Sequence, residues 1–170
     1  MGVVRHSGGQ DSAAAGRSEM KKSDRIEEFI GTLGVAPAEG LHECYLGYFA
    51  CFNRAEYYEA HDVLEHLWLQ GAGENHAFFK GLIQFAGAFV HLQKQYLHPT
   101  HPKHGRRLRP AVRLFQLALA NLEPYGTRHL NLDVAGLCAS ARAWIARIEA
   151  GGYERNPWSP ETAPRMELGV

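Results

Sequence analysis

The sequence predicts an all-α, single-domain antiparallel bundle of five to six helices. Apolar residues recur at three- and four-residue steps through most of the chain, the period of a helix face. No run alternates with period two, the mark of a half-buried strand. The connections between periodic stretches are short, which sets consecutive helices antiparallel. With 170 residues, 45% hydrophobic and 21% charged, the chain is long enough to bury one core and has the composition of an ordinary soluble domain.

Residues 1–22 mix Gly, Ser, Ala and scattered charge and read as a disordered leader. Residues 23–150 read as the bundle and 151–170 as an extended, Pro-containing tail. Ser23 is placed to cap a first helix reaching Ile30, with Glu27 and Glu28 in its first turns, and Gly31 and Gly34 break it. Pro37 suits the start of a second helix, along which Leu41, Tyr45, Tyr48, Phe49 and Phe52 keep a helical period. Asn53-Arg54 is then a tight connection into a third helix, about Ala55 to Gln70, stopped by Gly71-Ala72-Gly73. The fourth, about Asn75 to Leu97, is apolar over more than half its circumference, which marks a central helix. A proline-broken loop from His98 to Gly105 leads to a fifth helix over Leu108–Leu122, with Pro110 in its first turn. Pro124-Tyr125-Gly126 stops that one, and a last helix runs from about Leu132 to Glu149.

Composition narrows the function classes. Lys+Arg and Asp+Glu are 18 each, so no basic excess exists for nucleic-acid binding. Arg106, Arg107, Arg109 and Arg113 read as a solvated helix start. Cys44, Cys51 and Cys138 form no Cys-x-x-Cys pair, and the first two stand about 10 Å apart along one helix, so reduced thiols in the cytoplasm are expected. Met1 to Lys22 lacks the apolar core of a signal peptide. Phe78–Leu92 is short for a membrane span and broken by Lys80, Gln84 and His91. The chain also lacks a Gly-x-Gly-x-x-Gly, a phosphate loop, a His-Glu-x-x-His and a Gly-x-Ser-x-Gly, and nothing points to a nucleotide cofactor.

The third helix holds the candidate chemistry. At about 100° per residue, His61, Glu65, Tyr58, Trp68, Tyr57 and Leu64 share a face, Asp62 falls at its margin, and Glu59 and His66 fall opposite. His61 and Glu65, four apart, can supply two ligands to a divalent metal. Alternatively, Glu65 orients a neutral His61 as a proton acceptor. The competing reading is a buried His–Glu hydrogen bond that only locks the core.

On the fourth helix, Gly81, Gln84, Gly87, Ala88 and His91 form a small, polar stripe. Its glycines would admit a neighbouring helix, and the third helix is next in sequence. His61, Glu65, Gln84 and His91 are therefore expected to form one pocket between the third and fourth helices, walled by Tyr58 and Trp68, with His91 as a third metal ligand. His98, His101 and His104 fit a weak metal tract less well than a loop with incidental histidines.

These motifs resemble a known family. Phe52-Asn53-Arg54, Tyr57-Tyr58-Glu59-Ala60-His61-Asp62-Val63-Leu64-Glu65 and Trp68, followed by Gly81-Leu82-Ile83-Gln84 and His91, are similar to the domain of unknown function 309 family over about Leu41 to Leu122. The resemblance implies an all-α bundle and an intracellular, mostly prokaryotic protein, with no established reaction. It carries over Asn53, Tyr58, Glu59, His61, Glu65, Trp68, Gln84 and His91, and so adds Asn53 to the substrate-binding candidates. Asp62 stands where a glutamate is usual, Lys80 where a glutamine is common, and the His98–Arg109 loop replaces a short Gly-Asn turn.

Two function classes follow. One is a small-molecule or divalent-metal site, with hydrolysis as its candidate reaction, using His61 and Glu65 as ligands or as base and orienter. The other is a non-catalytic protein-interaction or homo-oligomerisation module in which the same residues specify the core. No nucleic acid and no membrane enter either reading.

Overall fold

The computed structural model describes residues 20–169. Six helices dominate it: α1 (Lys22–Thr32), α2 (Glu43–Asn53), α3 (Tyr57–Leu69), α4 (His76–Leu97), α5 (Leu108–Leu122) and α6 (Val134–Ala150). Single 3-10 turns at Gly73–Asn75 and Glu123–Tyr125 lead into α4 and out of α5. The expected all-helical bundle is what the chain forms. The expected leader, residues 1–22, lies outside the described residues except for its last three.

The helix starts obey local chemistry, at different residues from those expected. The first helix begins at Lys22 with no side-chain cap, and Ser23 sits inside it, donating to Asp24. Pro37 precedes the second helix instead of starting it. His42 caps α2, its Nδ1 accepting the Cys44 N–H at 3.0 Å, because an acceptor one residue before the helix satisfies an orphan donor of the first turn. Ala55 ends the α2–α3 turn at φ 57°. The last helix starts at Val134, capped by Asp133, whose carboxylate accepts the Gly136 N–H.

A strand pair was not expected, yet Arg128–His129 (β1) and Leu132–Asp133 (β2) pair antiparallel as a minimal hairpin. Leu130 and Asn131, both at positive φ, make the two-residue turn that matches strand twist. Two residues per strand are too few for a period-two signal to show in sequence.

The core is aromatic. Tyr45, Tyr48, Phe52, Tyr57, Phe78, Phe85, Phe89 and Phe115 are all at most 1% exposed. The fourth helix lies between α3 and α5, α2 pairs with α3, α6 packs on α5, and α1 lies across α3. Each buried tyrosine hydroxyl has a partner: Tyr45 donates to Leu130 O, Tyr48 to Leu82 O, and Tyr57 accepts from Trp158 Nε1. Burial pushes the Tyr57 phenol up to about 12 and the Cys51 thiol up to about 12, so neither is a nucleophile at neutral pH.

Among the described residues the tail carries no helix or strand after α6, but it is packed. Trp158 is 3% exposed, Asn156 donates to Leu92 O, and Asn53 grips the Met166 backbone at both ends of its amide, each bond 2.7 Å. The bundle is thus closed by a strap from its own C-terminus.

Candidate metal centre

The third helix presents its core side through Tyr57, Ala60, Val63 and Leu64, all buried. His61, Asp62 and Glu65 fall at the border between that side and solvent. Their side chains are 32%, 22% and 31% exposed, which is too open for a core network. The His61 Nδ1–H donates to Asp62 Oδ1 at 3.3 Å and faces Glu65 Oε2 at 3.5 Å. One ligand atom from each of the three residues lies within 4.8 Å of the other two. Two ligands at 2.0–2.1 Å from a tetrahedral ion stand about 3.3–3.4 Å apart, so the donor types and two of the spacings fit a small divalent cation. Lys22 Nζ, from α1, lies 3.9 Å from Asp62 Oδ1 and balances its charge. The Tyr58 ring, 58% exposed, stacks beside His61 with centroids 6.3 Å apart.

Asp62, at the margin of the α3 face that carries His61 and Glu65, joins them. Adjacent residues diverge by about 100°, but a short carboxylate and a rotating imidazole reach across that angle. The mixture of His, Asp and Glu at i, i+1 and i+4 was the available signal.

The expected four-residue pocket does not form. Gln84 turns toward α5, its Oε1 accepting from Asn121 Nδ2 at 2.7 Å. His91 also leaves the α3 side, its Nδ1 accepting from Arg107 Nη1 at 3.0 Å, so His91 is not a third ligand beside His61 and Glu65. The reason is the small stripe itself. A Cβ on Gly81 would stand 2.7 Å from Leu122 Cγ, and one on Gly87 would stand 3.2 Å from Leu114 Cδ1, so the groove the glycines leave is filled by α5. Trp68 lies apart as well: its Nε1 donates to His76 O and its ring packs at a tilt against that of His76, fastening α3 to α4. Asn53 has its amide committed to Met166, and Glu59 is exposed, with no ion pair to Arg54 among the described residues.

His91 has its own consequence. Burial first, then Arg107 and Lys94, pushes its pKa down to about 4 from 6.5. Between those values the unfolded chain binds a proton that the folded one refuses, so stability is complete above about pH 6.5 and is lost as pH falls toward 4. The loss expected is about 1–2 kcal/mol, since the imidazole is only half-buried and solvent screens it. Urea melts of wild type and His91→Gln at pH 7 and pH 4.5 check this: glutamine can still accept from Arg107 but does not titrate, so the acid penalty should shrink by that amount.

Residues 45–100, which hold nearly all of α2, all of α3 and all of α4, match the family described as Domain of unknown function (DUF309). Over that stretch the chain is similar to this family. No curated protein and no solved structure matches the chain. The candidate ligands His61, Asp62 and Glu65 lie inside the DUF309 segment, whereas Lys22 and the strap residues that complete the fold lie outside it. No helix, among the described residues, is long and apolar enough to cross a membrane.

Proposed function

We propose that this chain binds a divalent transition metal through His61, Asp62 and Glu65 and presents it to a small molecule, with hydrolysis as the reaction class. The observation that carries this reading is the convergence of one imidazole and two carboxylates within 4.8 Å on a solvent-reached helix face. A core network would have buried and saturated the same groups.

The chain's own residues supply the rest of the site. Asp62 also borders a groove of about 360 Å³ between α1 and α3, so a substrate there would lie against a ligand residue. Ile26, Phe29 and Val63 give the groove an apolar wall, and Lys22, Arg25, Glu59 and Asp62 give it charges of both signs. Lys22 is 68% exposed and free to swing from Asp62 when a cation takes its place. An ion held by three protein groups keeps coordination positions for water and acts as a Lewis acid, the arrangement of hydrolytic metal sites.

Metal analysis of untagged protein prepared without chelator, with calorimetric titration of zinc and manganese into the stripped protein, tests the reading. One ion per chain is expected. Asp62→Asn should weaken it by at least the roughly 10–100-fold that losing a group which merely orients a ligand costs, with no change in the thermal midpoint of the metal-free protein beyond a surface substitution's effect. Binding that is absent, or equal in the variant, refutes the metal centre.

A further inference from the structure

The charges of this chain are segregated. Between Glu74 and Glu123 lie seven Lys and Arg residues and not one Asp or Glu. The formal net charge is zero, so the remainder of the chain carries −7, from 11 basic and 18 acidic residues. None of those seven cations has a carboxylate within 4.0 Å among the described residues. Arg107 is held by neutral acceptors instead, the Nδ1 atoms of His91 and His104. Unpaired guanidinium groups this dense repel one another, and an anion would relieve them.

The surplus has a cavity. About 450 Å³ opens between the α4–α5 loop and the turn after α6, lined in part by Gln95, Arg106, Leu108, Arg109, Tyr153 and Glu154. Gln95 is 8% exposed. Its Oε1 accepts the Arg107 N–H at 2.7 Å, which fixes the amide orientation. Its Nε2 donates to no protein group among the described residues, yet no buried side-chain nitrogen or oxygen there is both sealed and unpartnered. That N–H₂ therefore opens toward space a ligand can reach. Leu108 and Arg109 begin α5, whose first turn has no side-chain cap, and their N–H groups add the positive end of the helix. Arg109 Cζ stands over the Tyr153 ring, 4.2 Å from its centroid, which holds the guanidinium at the cavity. Glu154 is the one carboxylate on the lining.

We infer that this cavity binds a small phosphate-bearing anion through Gln95 Nε2, Arg106 and Arg109. Donors that line one concave site suit a compact phosphoryl group, and planar guanidinium groups suit its oxygens. A nucleic acid fits less well, because a long polyanion would run off the basic region onto a chain that is net negative elsewhere. The site is independent of the metal centre on α3.

Calorimetric titration of inorganic pyrophosphate into the full chain, with inorganic phosphate and a single-stranded oligonucleotide as comparison probes, tests it. One pyrophosphate per chain is expected. Gln95→Glu keeps the acceptor for Arg107 and places a negative charge at the cavity, so affinity should fall about tenfold or more. Arg106→Gln, an exposed change that leaves the fold alone, should also weaken binding, while Arg113→Gln, in the same basic segment but off the cavity lining, should stay within about twofold. No pyrophosphate binding, an equal loss in Arg113→Gln, or tighter binding of the oligonucleotide at matched salt would each overturn the assignment. Should Gln95→Glu fail to fold by circular dichroism, Arg106→Gln against Arg113→Gln decides.

Discussion

Trp158→Ala is expected to destabilise the protein by about 3–5 kcal/mol, the range for emptying a buried tryptophan site. The side chain is 3% exposed and packs edge-on against Tyr57 and Tyr96, with ring centroids 6.0 and 5.3 Å away. Its Nε1 donates to the Tyr57 hydroxyl at 3.0 Å, so the substitution also leaves a buried phenol short of a partner. Chemical denaturation read by far-UV circular dichroism measures the loss. A change under about 1 kcal/mol would mean that the tail does not close the bundle and that Tyr57 is covered another way. A strap without secondary structure would then add nothing that the six helices lack.

Gly81→Val should cost about 2–3 kcal/mol by overpacking. A Cβ at this position meets Leu122 Cγ at 2.7 Å and Asn121 Cβ at 3.2 Å, and Leu122 is fully buried with nowhere to retreat. The displacement of α5 should also loosen the Gln84–Asn121 bond beside it. Equilibrium unfolding of the variant beside Gly31→Val, where an added Cβ meets nothing within 4 Å, separates crowding from the intrinsic cost of a β-branched residue in a helix. Equal losses at the two positions would refute close α4–α5 packing at Gly81.

These two outcomes bear on what can be read from one chain without its partners in space. The helices were readable because periodicity and glycine breaks act within a few residues. The aromatic run of α2 and the apolar circumference of α4 foretold the core for the same reason. The His61–Glu65 pair was readable too, since residues four apart on a helix meet whatever surrounds them. The ends of helices were less so: His42 and Asp133 do the capping, and nothing local distinguishes them from the serine and proline that first suggested themselves.

What lay beyond one helix depended on the whole packing. The stripe Gly81, Gln84, Gly87, Ala88, His91 announced a close neighbour, and only the assembled bundle decides that the neighbour is α5, which draws Gln84 and His91 away from His61. Asn53 carries a side chain fit for a ligand, and only a contact 113 residues away commits it to Met166. The same holds for Asp62, which α1 meets through Lys22. The segregation of charge is written in the order of residues, but the cavity that gives it a use exists only where the α4–α5 loop meets the turn after α6. Local order follows from short-range sterics and hydrogen bonding along the chain, whereas the choice among partners is made by long-range burial, which no single segment encodes.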